Sequence, residues 1–235
     1  MDLDERIVAL TQLGNYLRND FIKNYRDKIN EIEIVNPWFT FENIEYAINY
    51  WGSQLNLNSL NSWLKKYQLP NRTKKNILVI SAGNIPLVSF LDILCILITG
   101  HKLFLKLSSK DNVLFPLILN ELFKINSEFE NQIFLVKKIQ SEKYDAVLAT
   151  GSDNTAKYFD YYFKNKKKII RKNRSSVAII QGNESDRDLA LLADDVFKYF
   201  GLGCRSISQL LIPENYDLNK LFKAFYKYKY LIKHQ

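Results

Sequence analysis

The chain is poor in the residues that usually announce a site. It holds two cysteines, Cys95 and Cys204, two histidines, His101 and His234, and a single methionine. Two cysteines cannot make a disulfide framework, and nothing else points to an oxidising compartment. Two histidines far apart in the chain suggest no metal site, and none is expected. Glycine (8) and proline (5) are scarce, so a collagen-like or low-complexity chain is excluded. There is no GxGxxG, no phosphate-binding P-loop, no HExxH and no CxxC, and no Ser-His-Asp set can be assembled. The longest apolar run, 85–98, is interrupted by Asp92 and is too short to span a bilayer. Residues Met1 to Arg6 are charged and lack the apolar stretch of a signal peptide. The sequons at Asn71, Asn173 and Asn183 therefore carry no weight. The expectation is a cytoplasmic protein without a membrane span.

What is present is enough apolar material for a sizeable core. Apolar residues make up 47% of the 235, with 15 Phe, 14 Tyr and 3 Trp, which excludes a disordered chain. The formal charge is +8. Part of the excess lies between Lys164 and Arg174, in Lys166, Lys167, Lys168, Arg171 and Lys172. This run reads as a solvated face, with contact to ligand phosphates as the sharper alternative. No nucleic-acid-binding module is recognisable, so no nucleic acid is expected as a partner.

The periodicity changes once along the chain. Residues 1 to about 70 read as helical, with Ile7, Leu10, Leu13, Leu17 and Phe21 on one stripe. Asn36-Pro37-Trp38 breaks that pattern, and further helices are predicted over 40–50 and 59–67. Pro70-Asn71 with Lys74 and Lys75 reads as a linker. Short β-branched runs then alternate with helices. Strands are predicted at 76–80, 102–107, 132–136, 144–149, 177–180 and 207–212, and helices at 87–99, 113–124, 154–163, from Ser185 to Gly201, and 218–228. Such alternation implies an α/β fold with a largely parallel sheet.

In open parallel sheets ligands lie beyond the carboxyl ends of the strands. Three turns leave strands with suitable residues: Ser81-Ala82-Gly83-Asn84, Lys106-Leu107-Ser108-Ser109 and Thr150-Gly151-Ser152. A fourth, Gly201-Leu202-Gly203-Cys204, leaves a helix. Its glycines permit positive φ and close approach to a ligand. Cys204 there could offer a thiol nucleophile and its own N–H as an oxyanion donor. It could equally be a packed cysteine behind a helix cap. Cys95, inside an apolar helix, reads as core.

Five segments in order resemble LuxC-type acyl-CoA reductases, of the aldehyde dehydrogenase superfamily. They are Ser81-Ala82-Gly83-Asn84-Ile85-Pro86-Leu87, Lys106-Leu107-Ser108-Ser109-Lys110-Asp111, Ala149-Thr150-Gly151-Ser152, Ile169-Ile170-Arg171-Lys172-Asn173-Arg174-Ser175-Ser176-Val177-Ala178 and Tyr199-Phe200-Gly201-Leu202-Gly203-Cys204-Arg205. The resemblance runs from about Asn36 to His234. It implies an aldehyde-dehydrogenase-like fold: a helical N-terminal region over 1–75, a dinucleotide-binding domain over 76–182, and over 183–235 the start of a catalytic domain, incomplete because family members continue further. It implies Cys204 as the nucleophile and Asn84 as the oxyanion donor. Lys106 and Ser108 would hold the adenosine ribose, and Thr150, Gly151 and Ser152 would lie against the pyrophosphate and nicotinamide of NADPH. The reaction implied is reduction of a long-chain acyl-CoA, or an acyl-protein, to a fatty aldehyde. An acyl-protein synthetase is the implied partner, and an oligomer the implied state of the full-length family. Hydrolytic aldehyde dehydrogenases carry a glutamate before the strand at Val177. Residues 169–174 hold no carboxylate here, as suits an acyl-enzyme that must not be hydrolysed. Two other readings stay open: another acyl-transferring reaction of the superfamily, or a truncated non-catalytic chain that binds a partner protein.

Overall fold

The computed structural model describes residues 1–69 and 73–233. Pro70 and Asn71 of the expected linker, and His234, lie outside the described residues. The chain divides into two compact units, Met1–Lys172 and Asn173–Gln235.

The first unit opens with helices, as its periodicity predicts. Helix α1 spans Leu3–Tyr16. The Asp2 carboxylate accepts from the Glu5 N–H (2.9 Å) and the Glu5 carboxylate from the Asp2 N–H (2.7 Å), so two otherwise orphaned donors are satisfied. Ile7, Leu10 and Leu13 are buried, and Leu17 and Phe21 extend the stripe through one π-helical turn, Leu17–Phe21. Next come α2 (Ile22–Asn24), a single turn, then α3 (Arg26–Val35) and α4 (Phe41–Gln54). Asn36 leaves helical geometry and ends α3. Helix α5 (Leu57–Leu64) is capped by the Asn56 side chain. Gly14 makes the packing of α1 possible. A Cβ there would stand 2.1 Å from the Leu55 carbonyl oxygen.

The rest of this unit alternates strands and helices: β1 (Asn76–Ile80), α6 (Phe90–Ile98), β2 (Lys102–Lys106), α7 (Leu114–Ile125), β3 (Ile133–Leu135), β4 (Ala146–Thr150), α8 (Asp153–Tyr162) and β5 (Lys167–Arg171). The sheet order is β3-β2-β1-β4-β5, and every neighbouring pair is parallel. The chain thus starts at the centre, builds outward to β3, then returns to the other side of β1. Side chains alternate across the sheet. Val79, Leu103 and Leu105 join the large core made with α1, α6 and α7. Leu78, Ile80, Val147 and Ala149 face a smaller core with Tyr144 and Phe163.

The basic run holds a strand that was not expected there, β5, at the edge of the sheet. Its lysines still form the expected solvated face, with Lys164, Lys167 and Lys172 exposed. Lysines are tolerated there because an edge strand keeps one side in water and charge discourages pairing with another chain. Helix α6 also starts at Phe90 instead of residue 87, because Leu87 adopts a left-handed backbone with φ of 56°.

The second unit contains β6 (Ser176–Ile179), α9 (Asp186–Phe197), β7 (Ile207–Leu211) and α10 (Leu218–Phe225). β6 and β7 pair in parallel. Ser185 and Asp188 form a second reciprocal cap at the start of α9. The expected end of that helix at Gly201 is too late. It ends at Phe197, and Tyr199, Phe200 and Gly201 follow with φ of 53°, 58° and 69°. Ile180, Leu189, Ala193 and Leu221 are buried, while Val177, Ile179 and Leu211 are exposed. Among the described residues, no helix is long and apolar enough to cross a membrane, and no group of three or more His, Cys, Asp or Glu could hold a metal ion.

Candidate active site

Parallel register decides where the candidate turns emerge. Ile80 stands opposite Lys106 on one side and Ala149 on the other. The segments leaving β1, β2 and β4 therefore come out together at the carboxyl edge of the sheet. They surround the switch point between β1 and β4, where open α/β sheets bind ligands.

The first two turns are joined. The Ser81 N–H donates to the Lys106 carbonyl (3.0 Å). Gly83 lies so close to the next turn that a Cβ would sit 2.5 Å from Ser108 Oγ and 2.8 Å from Lys110 Cβ. Asn84 follows, half-buried. Beyond it the Leu87 N–H donates to Asp111 Oδ2 (3.2 Å). Asp111 belongs to the second turn, which closes through its N–H to the Ser108 carbonyl (3.2 Å) and through the Lys110 N–H to Ser108 Oγ (3.2 Å). Asn36 Nδ2 reaches in from the helical region to the Lys110 carbonyl (3.1 Å). Burial pushes the Asp111 carboxyl up to about 7, against the opposing pull of the Leu87 N–H. In the sequence Asp111 reads only as a polar turn residue. Its one signal is an acid directly ahead of an apolar helix.

The third turn is held from the other side. The Gly151 N–H donates to the Arg171 carbonyl (3.1 Å). The Arg171 guanidinium grips Asp92 on α6 with two bonds, of 2.6 and 2.9 Å. Ser152 Oγ accepts from the Thr155 N–H (3.3 Å) and caps α8. The first N–H groups of a helix have no partner within it and suit an anion. Lys106 is half-buried, with Nζ 3.3 Å from the Leu107 carbonyl. An ammonium, the Ser108 hydroxyl and a helix N-terminus at one sheet edge are the donors that a dinucleotide's phosphates and ribose require, so these residues fit such a cofactor.

Cys204 lies in the second unit. It is a free thiol and exposed, in the turn between the left-handed stretch and β7. The packed-cysteine reading therefore does not hold for it. Consecutive left-handed Tyr199 and Phe200 are costly for residues with side chains. No local signal announces them. Gly203 is tight, since a Cβ would sit 3.0 Å from Ser206 Oγ. Cys95 is half-buried on α6, not fully enclosed, and burial with the Asp92 charge pushes its thiol up. His101 is half-buried, and its Nδ1 accepts from the Lys75 N–H (3.3 Å).

The fold is similar to that of aldehyde dehydrogenases of known structure. An NAD-dependent benzaldehyde dehydrogenase from Corynebacterium glutamicum aligns with a TM-score of 0.72 and 15% identity, over 97% of this chain and 54% of that one. Aldehyde dehydrogenase 21 from Physcomitrella patens aligns with a TM-score of 0.71 and 15% identity, over 97% of this chain and 52% of that one. The glyceraldehyde-3-phosphate dehydrogenase GapN from Methanocaldococcus jannaschii, complexed with NADP, gives a TM-score of 0.66 and 16% identity over 97% and 54%. The chain thus spans about half the length of these structures. It belongs to the LuxC family of acyl-CoA reductases, which matches residues 22–223. No curated protein matches it in sequence.

Proposed function

We propose that this chain carries the cofactor-binding part and the nucleophile of an NADPH-dependent reductase that converts a long-chain acyl-CoA to a fatty aldehyde. The observation that carries this reading is the family match over 22–223, which contains Asn84, Lys106, Ser108, Thr150, Gly151, Ser152 and Cys204 in one stretch. Residues 76–182 serve as the dinucleotide-binding domain, after a helical region over 1–75, and 183–235 begin the catalytic domain. A free exposed thiol suits a reducing, cytoplasmic setting. An acyl-protein as alternative acyl donor, an acyl-protein synthetase as partner and an oligomeric assembly go with the same reading.

In this mechanism the Cys204 thiolate attacks the thioester carbonyl. A new C–S bond forms, and the CoA thiolate leaves with the electron pair of the old one. The Asn84 amide and the Cys204 N–H donate to the oxyanion as it develops. Lys106 and Ser108 would hold the ribose of NADPH, and Thr150, Gly151 and Ser152 would hold its pyrophosphate and nicotinamide part. NADPH, when bound, would supply the hydride that adds to the acyl carbon. The bond from that carbon to the Cys204 sulfur then breaks, so that the aldehyde leaves and the thiolate is regenerated. The lack of a carboxylate over 169–174 leaves no base there to activate water, so the thioester survives until it is reduced.

Intact-mass spectrometry after mixing the chain with a long-chain acyl-CoA tests this directly. One added acyl mass is expected, absent in Cys204→Ala and discharged as aldehyde by NADPH. Asn84→Ala should slow acylation by roughly 10²–10³-fold, the usual cost of one oxyanion donor. A well-folded chain that takes up no acyl group would overturn the proposal. Acylation that also occurs in Cys204→Ala would remove Cys204 from its role.

A further inference from the structure

The proposed oxyanion donor and the proposed ribose-holding turn come from different strands, yet one buried side chain ties them together. Asp111 is 2% exposed and belongs to the turn that holds Ser108. Its Oδ2 accepts the N–H of Leu87, three residues beyond Asn84 in sequence. Leu87 is itself buried and left-handed, with φ of 56°. A leucine does not adopt that conformation without compensation. Between these contacts, Gly83 touches Ser108 and Lys110 with no room for a Cβ. The loop carrying Asn84 is thus pinned at one end by the Ser81 N–H on the Lys106 carbonyl and at the other by Asp111.

We infer that Asp111 is a positioning residue of this site, whose carboxyl holds the Asn84 loop in its left-handed turn and fastens it to the Ser108 turn. The inference rests on the proposed roles of Asn84 and Ser108. Asp111 touches no reacting atom. It acts by keeping the two turns in one arrangement, so loosening it disturbs both together. The interaction needs an acceptor oxygen and not a negative charge. A carboxyl raised to about 7 is part protonated near neutrality, and either form presents an oxygen to the Leu87 N–H. An asparagine offers the same oxygen in the same place, whereas alanine offers none.

Hydrogen exchange of the full chain, read at the Leu87 amide, tests the clamp. The Leu78 and Val79 amides serve as the control for folding, and NADPH affinity is measured beside them. Asp111→Ala should speed exchange at Leu87 by about tenfold or more while β1 keeps its protection, and should weaken NADPH binding by a similar factor. Asp111→Asn should restore both, which a merely space-filling role would not require. Unchanged exchange at Leu87 in Asp111→Ala overturns the inference. So does loss of protection in a folded Asp111→Asn, which also decides the matter should the alanine variant fail to fold. If the wild-type chain neither binds NADPH nor takes up an acyl group, the proposed function has failed and the positioning role falls with it. The Leu87 amide then still reports whether the clamp exists. Loss of Leu87 protection with NADPH affinity intact would leave the proposed function standing and overturn the positioning role.

Discussion

Single residues in this protein carry opposed demands, and Asp111 is the clearest case. Its carboxyl is buried with one backbone donor, and burial raises it to about 7 from an ordinary value near 3.8. The folded state therefore holds its proton more tightly than the unfolded state. Between about pH 4 and pH 7 the folded form binds more protons, so stability contributed by this group falls as pH rises. Each pH unit crossed in that window removes about 1.4 kcal/mol, and the loss is complete above about pH 7. Urea denaturation of the wild type should then show a decline from pH 5 to pH 8 that is flattened in Asp111→Asn, with the variant the more stable at pH 8. The two cysteines show the same dependence on surroundings. Cys204 stands exposed in a turn, whereas Cys95 is half-buried, and burial together with the Asp92 charge pushes its thiol up.

At the scale of elements, the sheet is fastened to its helices by a few polar contacts across an otherwise apolar interior. The pairing of Arg171 on β5 with Asp92 on α6 is the most consequential. Asp92 lies in an apolar helix, and its side chain is 11% exposed. The two charges meet through two hydrogen bonds, and the Arg171 carbonyl also receives the Gly151 N–H. Removing the guanidinium leaves a nearly buried carboxylate without its partner. Arg171→Ala should cost roughly 2–3 kcal/mol, between the values for exposed and buried pairs. Asp92→Asn in the same chain should recover part of it. A double-mutant cycle in urea measures this, and a coupling near zero would show that the pair is only incidental. Strand β5 is the element that the basic run conceals. Its lysines form a largely solvated face, as their charge suggests, and only the pair Ile169-Ile170 marks the strand.

For the whole molecule, the division at Lys172 and Asn173 has a practical consequence. Residues 172–175 are exposed and outside any regular element. They contain Lys172 and Arg174, both cleavable by trypsin. Limited trypsin digestion should release a fragment beginning at Met1 and ending at one of these residues, readable by mass. Early cuts inside β1, β2 or β4 instead would contradict a compact first unit. The chain's net charge of +8 would favour the approach of phosphorylated molecules such as the proposed acyl-CoA and NADPH.

Much of the architecture was legible in the residues themselves. The short β-branched run at 76–80 coincides with β1, the helix expected from Ser185 starts there, and alternating elements implied a parallel sheet. The turns that leave β1, β2 and β4 were legible as breaks between the β-branched runs and the helices that follow. What the tertiary structure alone decided was adjacency. Strand order and register brought Asn84, Lys106, Ser108 and Thr150 to one sheet edge, since hydrogen-bond pairing between distant segments leaves no local mark. The same holds for Asp111 and Arg171. Each looks like an ordinary polar residue in its own segment. Each acquires a role only when a distant element, Leu87 in one case and Asp92 in the other, is brought within hydrogen-bonding distance and shielded from water.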